Sequence, residues 1–221
     1  MSPVAAASVA SGTDVGAGRT EGRRRGRGAA ALEMALLVPV LTVMLFGIVD
    51  VGDLLVRQGA AASSVRIAAV ESFDRAGERS HDLDVASTLV TEMRNRGLPD
   101  VKRIVIYDAT TADQPPASCL SGAALVAGGV AGVCVVFGPT DLASIAAGSA
   151  AARFDDPDCF GDADAQWCAT TRLPANPLDG WRVGIWVEAG HQSPTGVLPN
   201  LRNYDIEENA VVHLWERTAS L

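Results

Sequence analysis

AAALEMALLVPVLTVMLFGIV, residues Ala29–Val49, is the stretch of this sequence that decides the fold. It is 21 residues long, and Glu33 is its only ionisable residue. A helix of this length extends about 31 Å, which matches the roughly 30 Å hydrocarbon core of a bilayer. Arginines precede the stretch and Asp50 and Asp53 follow it. Because an excess of arginine keeps its own flank in the cytoplasm, we predict a single-pass membrane protein whose C-terminal part is exported.

Two residues inside the stretch need a physical explanation. Pro39 has no N–H and its ring crowds the carbonyl of Ala35, which predicts a kink or a loosened turn. A charge on Glu33 deep in the membrane would cost at least about 2.5–3.5 kcal/mol, although near the helix start it can snorkel toward the interface. Glu33 is then either a boundary residue of an ordinary anchor or a carboxylate that meets a cation. Cleavage after Gly28 would supply that cation, because the new ammonium of Ala29 would lie one helical turn away.

Several further features surround the stretch, and together they carry a family resemblance: Gly28 after an Arg/Gly-rich leader, Glu33, Pro39, Phe46-Gly47, the Asp50 to Leu55 continuation and Arg66 among alanines. From about Gly26 to Ala69 the chain resembles TadE-like proteins, the minor pilins or pseudopilins of tight-adherence (Tad, Flp-type) pilus systems. Leu32-Glu33-Met34 stands where members of the family generally have a small residue followed by Val-Glu-Phe.

The resemblance implies a processing event and a mode of assembly. A prepilin peptidase would cut between Gly28 and Ala29 on the cytoplasmic side. Glu33 of the same or an adjacent subunit would then neutralise the Ala29 amine. The expected partners are membrane lipid, the peptidase and other Tad pilus subunits that pack against the N-terminal helix. The resemblance also implies a long N-terminal helix followed by strands.

Charge and composition divide the chain into four parts. The net charge is −8 overall; residues 1–28 hold five arginines against two acids, net +3, which leaves −11 for the remainder. An acidic exported part argues against nucleic acid as a partner. We predict a disordered basic cytoplasmic leader at 1–28, a transmembrane helix at 29–49, a helical extension at 50–75 and an exported domain at 76–221. A disulfide-closed insertion is expected at about 110–180 of that domain.

Periodicity predicts an α+β class for the exported domain, with an antiparallel sheet against which the N-terminal helix packs. Val51, Leu55, Ala62, Val65 and Ala69 form a narrow apolar stripe on the helical extension. The segments expected to be regular are a helix from Ser80 or Asp82 to about Arg96, strands at 101–107 and 133–137, a short helix from Thr140, and strands at 181–188 and 209–216. Residues 122–132 and 191–207 are expected to be flexible or loop segments because of their Gly, Pro and Asn content.

Four cysteines follow the membrane stretch: Cys119, Cys134, Cys159 and Cys168. An even number in an exported segment indicates disulfides, and four cysteines allow three pairings. Proximity in sequence favours Cys119–Cys134 and Cys159–Cys168, each closing a short loop worth about 2–3 kcal/mol.

The sequence predicts no metal, cofactor or catalytic site. Zinc is disfavoured because the cysteines lack a CxxC or CxH spacing. A run of carboxylates suggests calcium, but its spacing does not match a calcium loop, so a solvated acidic loop is favoured: Asp155, Asp156, Asp158, Asp162 and Asp164. The three histidines accompany no nucleophile motif: His81, His191 and His213.

Three functional hypotheses remain open at this point. The favoured one is a TadE-like minor pilin or pilus-assembly component. The alternatives are a permanently anchored exported binding domain and a membrane-tethered enzyme. A cleaved secretory signal and a twin-arginine signal both rank below an uncleaved anchor or a prepilin, because the apolar core is long and contains Glu33.

Overall fold

The computed structural model describes residues 21–75, 78–154, 159, 162–172, 181–197 and 203–214. The chain divides into two compact units, Met1–Phe46 and Gly47–Leu221. The helices and strands are α1 (Glu21–Asp74), α2 (His81–Asn95), β1 (Val101–Asp108), α3 (Gly122–Ala127), β2 (Gly129–Val130), β3 (Cys134–Phe137), α4 (Pro139–Ala146), β4 (Trp181–Gln192) and β5 (Asn203–Leu214). Short 3-10 turns occupy Ala151–Arg153 and Ala169–Thr171.

The first helix begins earlier than its sequence indicates. Disorder is expected up to residue 28, whereas α1 begins at Glu21. Arginine is a good helix former, and lengthening an existing helix is easier than nucleating one, so the apolar stretch carries the helix into the basic leader. Residues 1–20 of that leader lie outside the described residues.

Within the described residues, five strands of the second unit form one antiparallel sheet in the order β2-β3-β1-β4-β5. Strand β1 is central and pairs with β3 and β4, so that Ile106 lies opposite both Val135 and Ile185. Strands β4 and β5 pair along twelve residues. The predicted α+β class, a long apolar N-terminal helix followed by a domain with an antiparallel sheet, is confirmed.

The β4–β5 pair is longer than its sequence indicates. The expected loop at 191–207 is partly strand, because β4 continues to Gln192 and β5 begins at Asn203. The register runs without interruption from the Trp181–Leu214 pair to the Gln192–Asn203 pair. Each additional pair extends an existing ladder of backbone hydrogen bonds, which outweighs the weak strand preference of Gly, Asn and Asp.

The glycine-rich segment 122–132 is also more ordered than expected, since it contains α3 and β2. Ser121 caps α3 because its Oγ accepts a hydrogen bond of 3.1 Å from the N–H of Ala124. Gly128 ends the helix with a φ of 75°, a left-handed conformation that glycine adopts without strain.

Both faces of the sheet are covered by apolar packing. The larger core joins one face of β1, β3 and β4 to α1, α2 and α4. The smaller core lies on the other face and includes Tyr107, Trp186 and the Cys119–Cys134 pair. Val183, Ile185 and Val187 alternate along β4 and are all buried in the larger core, so they share one face of the strand.

Candidate functional site

The first unit presents an apolar helical surface. Every side chain described between residues 30 and 46 is exposed. The apolar ones include Leu36, 68 % exposed, and Phe46, 40 % exposed. Among the described residues one helix, Ala30–Asp74, is long and apolar enough to cross a membrane, on length and composition alone. A surface of this kind is normally covered by lipid or by other helices.

The residues predicted for processing and assembly all lie in α1. Gly28 and Ala29 are helical, Glu33 is exposed, and Pro39 lies inside the helix. Close to Pro39, the Thr42 hydroxyl donates a hydrogen bond of 2.7 Å to the carbonyl of Val38. Proline and a back-bonded threonine both favour bending of a helix. Their roles in cleavage and subunit pairing stay predictions.

In the second unit, α1 has two different faces. The face toward the domain is buried, and its fully or almost fully buried residues are Asp50, Ala61, Ser64, Val65, Ala68 and Ser72. The other face is exposed and apolar, with Ile48, Val51, Leu55, Val56, Val70 and Phe73. The predicted stripe divides between the two faces: Val65 is buried, whereas Val51 and Leu55 are exposed, because spacing alone cannot distinguish the two apolar sides of one helix. Gly52 and Gly59 have open space where a Cβ would be.

The buried face begins with a group of contacts that we call the exit clasp: Asp50, Asp53, Arg57, His191 and Thr195. Thr195 donates to the Asp50 carboxylate from its N–H, at 3.2 Å, and from its hydroxyl, at 2.6 Å. His191 Nε2 lies 2.6 Å from Asp53 Oδ2, and Arg57 Nε lies 3.3 Å from Asp53 Oδ1. Asp53 and Arg57 have the i, i+4 spacing of neighbours on one helix, whereas His191 in β4 and Thr195 in the β4–β5 turn have no local signal in the sequence.

Arg57 also joins α1 to the end of α2. Its Nη1 donates to the carbonyl oxygens of Arg96, at 3.0 Å, and Gly97, at 2.8 Å. Carbonyl groups at a helix C-terminus lack partners within the helix, and a cation there also complements the helix dipole. The guanidinium therefore fixes the position of α2 relative to the second-unit part of α1.

A second group, the buried relay, consists of Ser72, His81, Asp82, Trp167 and Arg172. His81 Nε2 lies 2.9 Å from Ser72 Oγ, and His81 Nδ1 lies 2.8 Å from Asp82 Oδ1. Arg172 Nη1 donates to Asp82 Oδ1 at 2.6 Å, its Nη2 donates to Asp82 Oδ2, and its Nε donates to the Trp167 carbonyl at 2.8 Å. The relay thus joins α1, the start of α2 and the segment that follows Cys168.

The charge of the relay is balanced inside the protein. Asp82 is 0 % exposed and Arg172 is 3 % exposed. Burial by itself raises the pKa of the Asp82 carboxyl, but attraction to Arg172 and the hydrogen bond from His81 outweigh it and lower that pKa to about 2. Asp82 is therefore an ionised carboxylate at neutral pH, matched by a buried guanidinium.

The likeness to known proteins lies in α1. Residues 28–70 match the family model of TadE-like proteins. The match confirms the resemblance read from the sequence and includes the positions predicted for processing and assembly. No curated protein and no solved structure matches the chain significantly. The TadE-like segment comprises the exposed apolar residues 30–46, the α1 residues of the exit clasp and most of the buried face of α1.

Just beyond the TadE-like segment, Ser72, His81 and Asp82 share the hydrogen-bond order of a Ser-His-Asp catalytic triad. Their surroundings differ from those of a hydrolytic site. Ser72 is 0 % exposed, and it lies within α1, where backbone N–H groups are used by the helix and are unavailable to an oxyanion. Arg172 also engages the carboxylate that would orient the histidine. The relay therefore has the character of a structural network.

The acidic loop forms a cluster around the second disulfide. Ligand atoms of Cys159, Asp162 and Asp164 lie within 4.8 Å of one another. Cys159 is bonded to Cys168, so its sulfur is not a thiolate that could bind a metal. The cation beside this cluster is the Arg79 side chain. Its Nη1 lies 3.0 Å from Cys159 Sγ, and its Nη2 donates to Asp162. Three other acids of the predicted loop lie outside the described residues: Asp155, Asp156 and Asp158.

The disulfides follow the pairing favoured by sequence proximity. Cys119 pairs with Cys134 and Cys159 pairs with Cys168, with Cα–Cα distances of 6.3 and 5.8 Å. The first bond fastens the loop before α3 to strand β3. The second closes the loop that leads to Arg172. The segment 110–180, predicted as an insertion, also contributes β3, α3 and α4 to the domain.

Proposed function

We propose that this chain is a membrane-anchored component of a Tad pilus system and assembles through its N-terminal helix. The observation that carries the proposal is the match of residues 28–70 to TadE-like proteins. The exposed apolar surface at residues 30–46 supports it, because such a surface needs lipid or neighbouring helices around it.

The proposal includes processing by a prepilin peptidase between Gly28 and Ala29. Cleavage there leaves an ammonium on Ala29, one helical turn from Glu33. In a bundle of α1 helices this ammonium pairs with the Glu33 carboxylate of the same or an adjacent subunit. The pairing offsets the cost of burying either charge alone.

The second unit is proposed to lie outside the cytoplasmic membrane, in the exported compartment or on a pilus. Two disulfides support this location, because they form and persist in oxidising compartments. The arginine-rich flank of α1 supports the same orientation, with the N-terminus in the cytoplasm.

The first test is the N-terminus of the protein isolated from cells, determined by mass spectrometry. A chain that begins at Ala29 supports the processed pilus component. An intact Met1 contradicts processing and favours a permanently anchored exported binding domain. A start near Ser63 would indicate ordinary secretion and would contradict both.

The second test replaces the proposed assembly charge. We expect Glu33→Ala to be cleaved normally but to be lost from pilus preparations, because the Ala29 ammonium then has no partner. Glu33→Asp keeps the carboxylate and serves as the matched control, with assembly at least partly retained. Normal incorporation of the alanine variant would argue strongly against the charge-pairing role.

A further inference from the structure

The turn between β4 and β5 carries an open cleft of about 450 Å³. It is lined by polar, uncharged or small residues: Gln192, Ser193, Pro194, Thr195, Gly196 and Asn203. We propose that this cleft is a contact surface for phospholipid headgroups of the membrane that anchors the chain. The proposal rests on the membrane-anchored function above and adds a second point of contact with that membrane.

The contacts of the exit clasp determine which residues of α1 lie beside the cleft. Asp50 directly follows the apolar stretch Ala29–Val49. Its carboxylate accepts a hydrogen bond from Thr195, which lines the cleft. Asp53, one turn further on, is bonded to His191. With a rise of 1.5 Å per residue, Asp50 and Asp53 lie within about 6 Å of the end of the apolar run, and the headgroup layer on each side of a bilayer is about 5–7 Å thick. Thr195 and His191 are therefore held beside the part of α1 that crosses the headgroup layer.

The charges of this region suit a phosphate-bearing surface. Free carboxylates at the exit of the helix would repel lipid phosphates. Asp50 is only 2 % exposed and receives two hydrogen bonds from Thr195, while Asp53 lies against His191 and Arg57. The clasp thus buries Asp50 and pairs Asp53 with two cationic or hydrogen-bonding side chains, so neither acid presents a free carboxylate to the lipid.

The lining of the cleft provides neutral hydrogen-bonding groups. The amides of Gln192 and Asn203 and the hydroxyl of Ser193 can bond phosphate and glycerol-ester oxygens without a charge of their own. Lys102 and Asp205, which line the adjacent cleft, pair with each other at 2.5 Å. These groups match a zwitterionic headgroup layer better than a specific anion, since a dedicated anion site usually presents an unpaired cation.

The experiment places one fluorophore at a time on the full chain, through an introduced cysteine. All four native cysteines are in disulfides, so a single new thiol can be labelled selectively. The test variant is Pro194→Cys, in the cleft. Val43→Cys, in the apolar part of α1, is the positive control for insertion of the helix into the membrane. The matched control is Thr111→Cys, an exposed residue beyond the far end of β1, about 23 Å of strand from the β4–β5 turn. Each protein is reconstituted in phosphatidylcholine vesicles that carry a nitroxide quencher on the headgroup or deep in the acyl chain.

We expect the P194C label to lose most of its fluorescence to the headgroup nitroxide, the V43C label to be quenched by the acyl-chain nitroxide, and the T111C label to be unaffected by both. Quenching of V43C without quenching of P194C would overturn the headgroup contact and leave the membrane anchor standing. Quenching of P194C by the acyl-chain nitroxide as strongly as V43C would place the cleft in hydrocarbon and also overturn the proposal. If V43C is not quenched, the membrane anchor itself fails, and the lipid contact fails with it.

Discussion

Arg172 and Asp82 lie 90 residues apart in sequence, yet Arg172 Nη1 donates a 2.6 Å hydrogen bond to Asp82 Oδ1 in the interior of the protein. Arg172 Nη2 donates to the second carboxylate oxygen, so the pair is bidentate. Because His81 bonds both Asp82 and Ser72, this ion pair connects the segment after the second disulfide to α1. The position of that segment therefore depends on a buried charge.

Removing the cation of this pair should destabilise the protein strongly. For Arg172→Met we expect the free energy of unfolding to fall by about 3–5 kcal/mol, because the buried Asp82 carboxylate loses its guanidinium counterion. Arg182→Met is the matched control. Arg182 pairs with Asp113, whose side chain is 69 % exposed, so its loss should cost no more than about 1 kcal/mol. Denaturant unfolding of the full chain in detergent measures both, and equal losses would contradict the role assigned to the buried pair.

A double variant separates the ion pair from the shape of the site. Asp82→Leu combined with Arg172→Met removes both charges and leaves apolar side chains in their place. Replacing a buried pair as a unit is often close to neutral, so the double variant should lose less stability than Arg172→Met alone. A larger loss in the double variant would show that packing, and not the unpaired charge, dominates at this position.

Asp82 should also make stability depend on pH in the acid range. Burial opposes ionisation, but Arg172 and His81 lower its pKa from 3.8 to about 2 in the folded protein. A lowered native pKa stabilises the fold above the unfolded value, and this contribution, on the order of 2 kcal/mol, should be lost as the pH falls from about 4 to about 2. Urea unfolding between pH 2 and pH 5 measures the dependence.

Asp82→Asn supplies the control for that experiment. The pKa of Asp164 is raised, by its own burial first and by Asp82 second, so its contribution has the opposite sign. The difference between the natural chain and D82N therefore contains the Asp82 contribution together with the part of the Asp164 shift that Asp82 causes. Parallel stability curves for the two proteins across this pH range would contradict the prediction.

Two glycines of β4 should respond differently to substitution by alanine. A Cβ on Gly184 would lie 2.1 Å from Cζ of Tyr107, which is fully buried, so Gly184→Ala should cost about 3 kcal/mol or more. A Cβ on Gly190 would meet mainly the ends of the Asp100 and Lys102 side chains, which can move aside. We expect Gly190→Ala to change stability by only about 0.5 kcal/mol. Thermal unfolding of the two variants tests the contrast, and similar losses would refute it.

The second disulfide should act together with the buried relay. Replacing Cys159 and Cys168 by serine should cost about 2–3 kcal/mol, because a short loop is no longer closed in the unfolded chain. The same bond closes the loop that leads to Arg172. Combined with Arg172→Met, the loss should therefore be smaller than the sum of the two separate losses. Additive losses in denaturant unfolding would mean that the disulfide and the ion pair act independently.

Local patterns in the sequence predict most of the elements, and the reason is physical. The helix at 29–49 follows from a run of apolar residues, and β1, β3 and the first half of β4 follow from β-branched residues and alternation. Neighbouring cysteines pair because short loops close readily. The TadE-like likeness also lies in this locally encoded part, since residues 28–70 are a single helical stretch.

Where the elements end and which polar side chains meet is decided by tertiary structure. The outer halves of β4 and β5 are strands because each supplies the other's backbone partners, although Gly190 and Asn203 are poor strand residues. The Asp50–Thr195 contact spans 145 residues, and no periodicity relates residues at such a distance.

The sequence by itself therefore determined an apolar helix with a TadE-like pattern, an α+β domain behind it and the neighbours that form disulfides. Only the folded chain decided which face of α1 is buried, because Val65 and Val70 are equally apolar and differ only in what packs against them. It also decided that Asp82 meets Arg172 and that Asp50 meets Thr195. Hydrophobic periodicity is a property of one segment, whereas the burial of a charge depends on a partner that another segment brings to it.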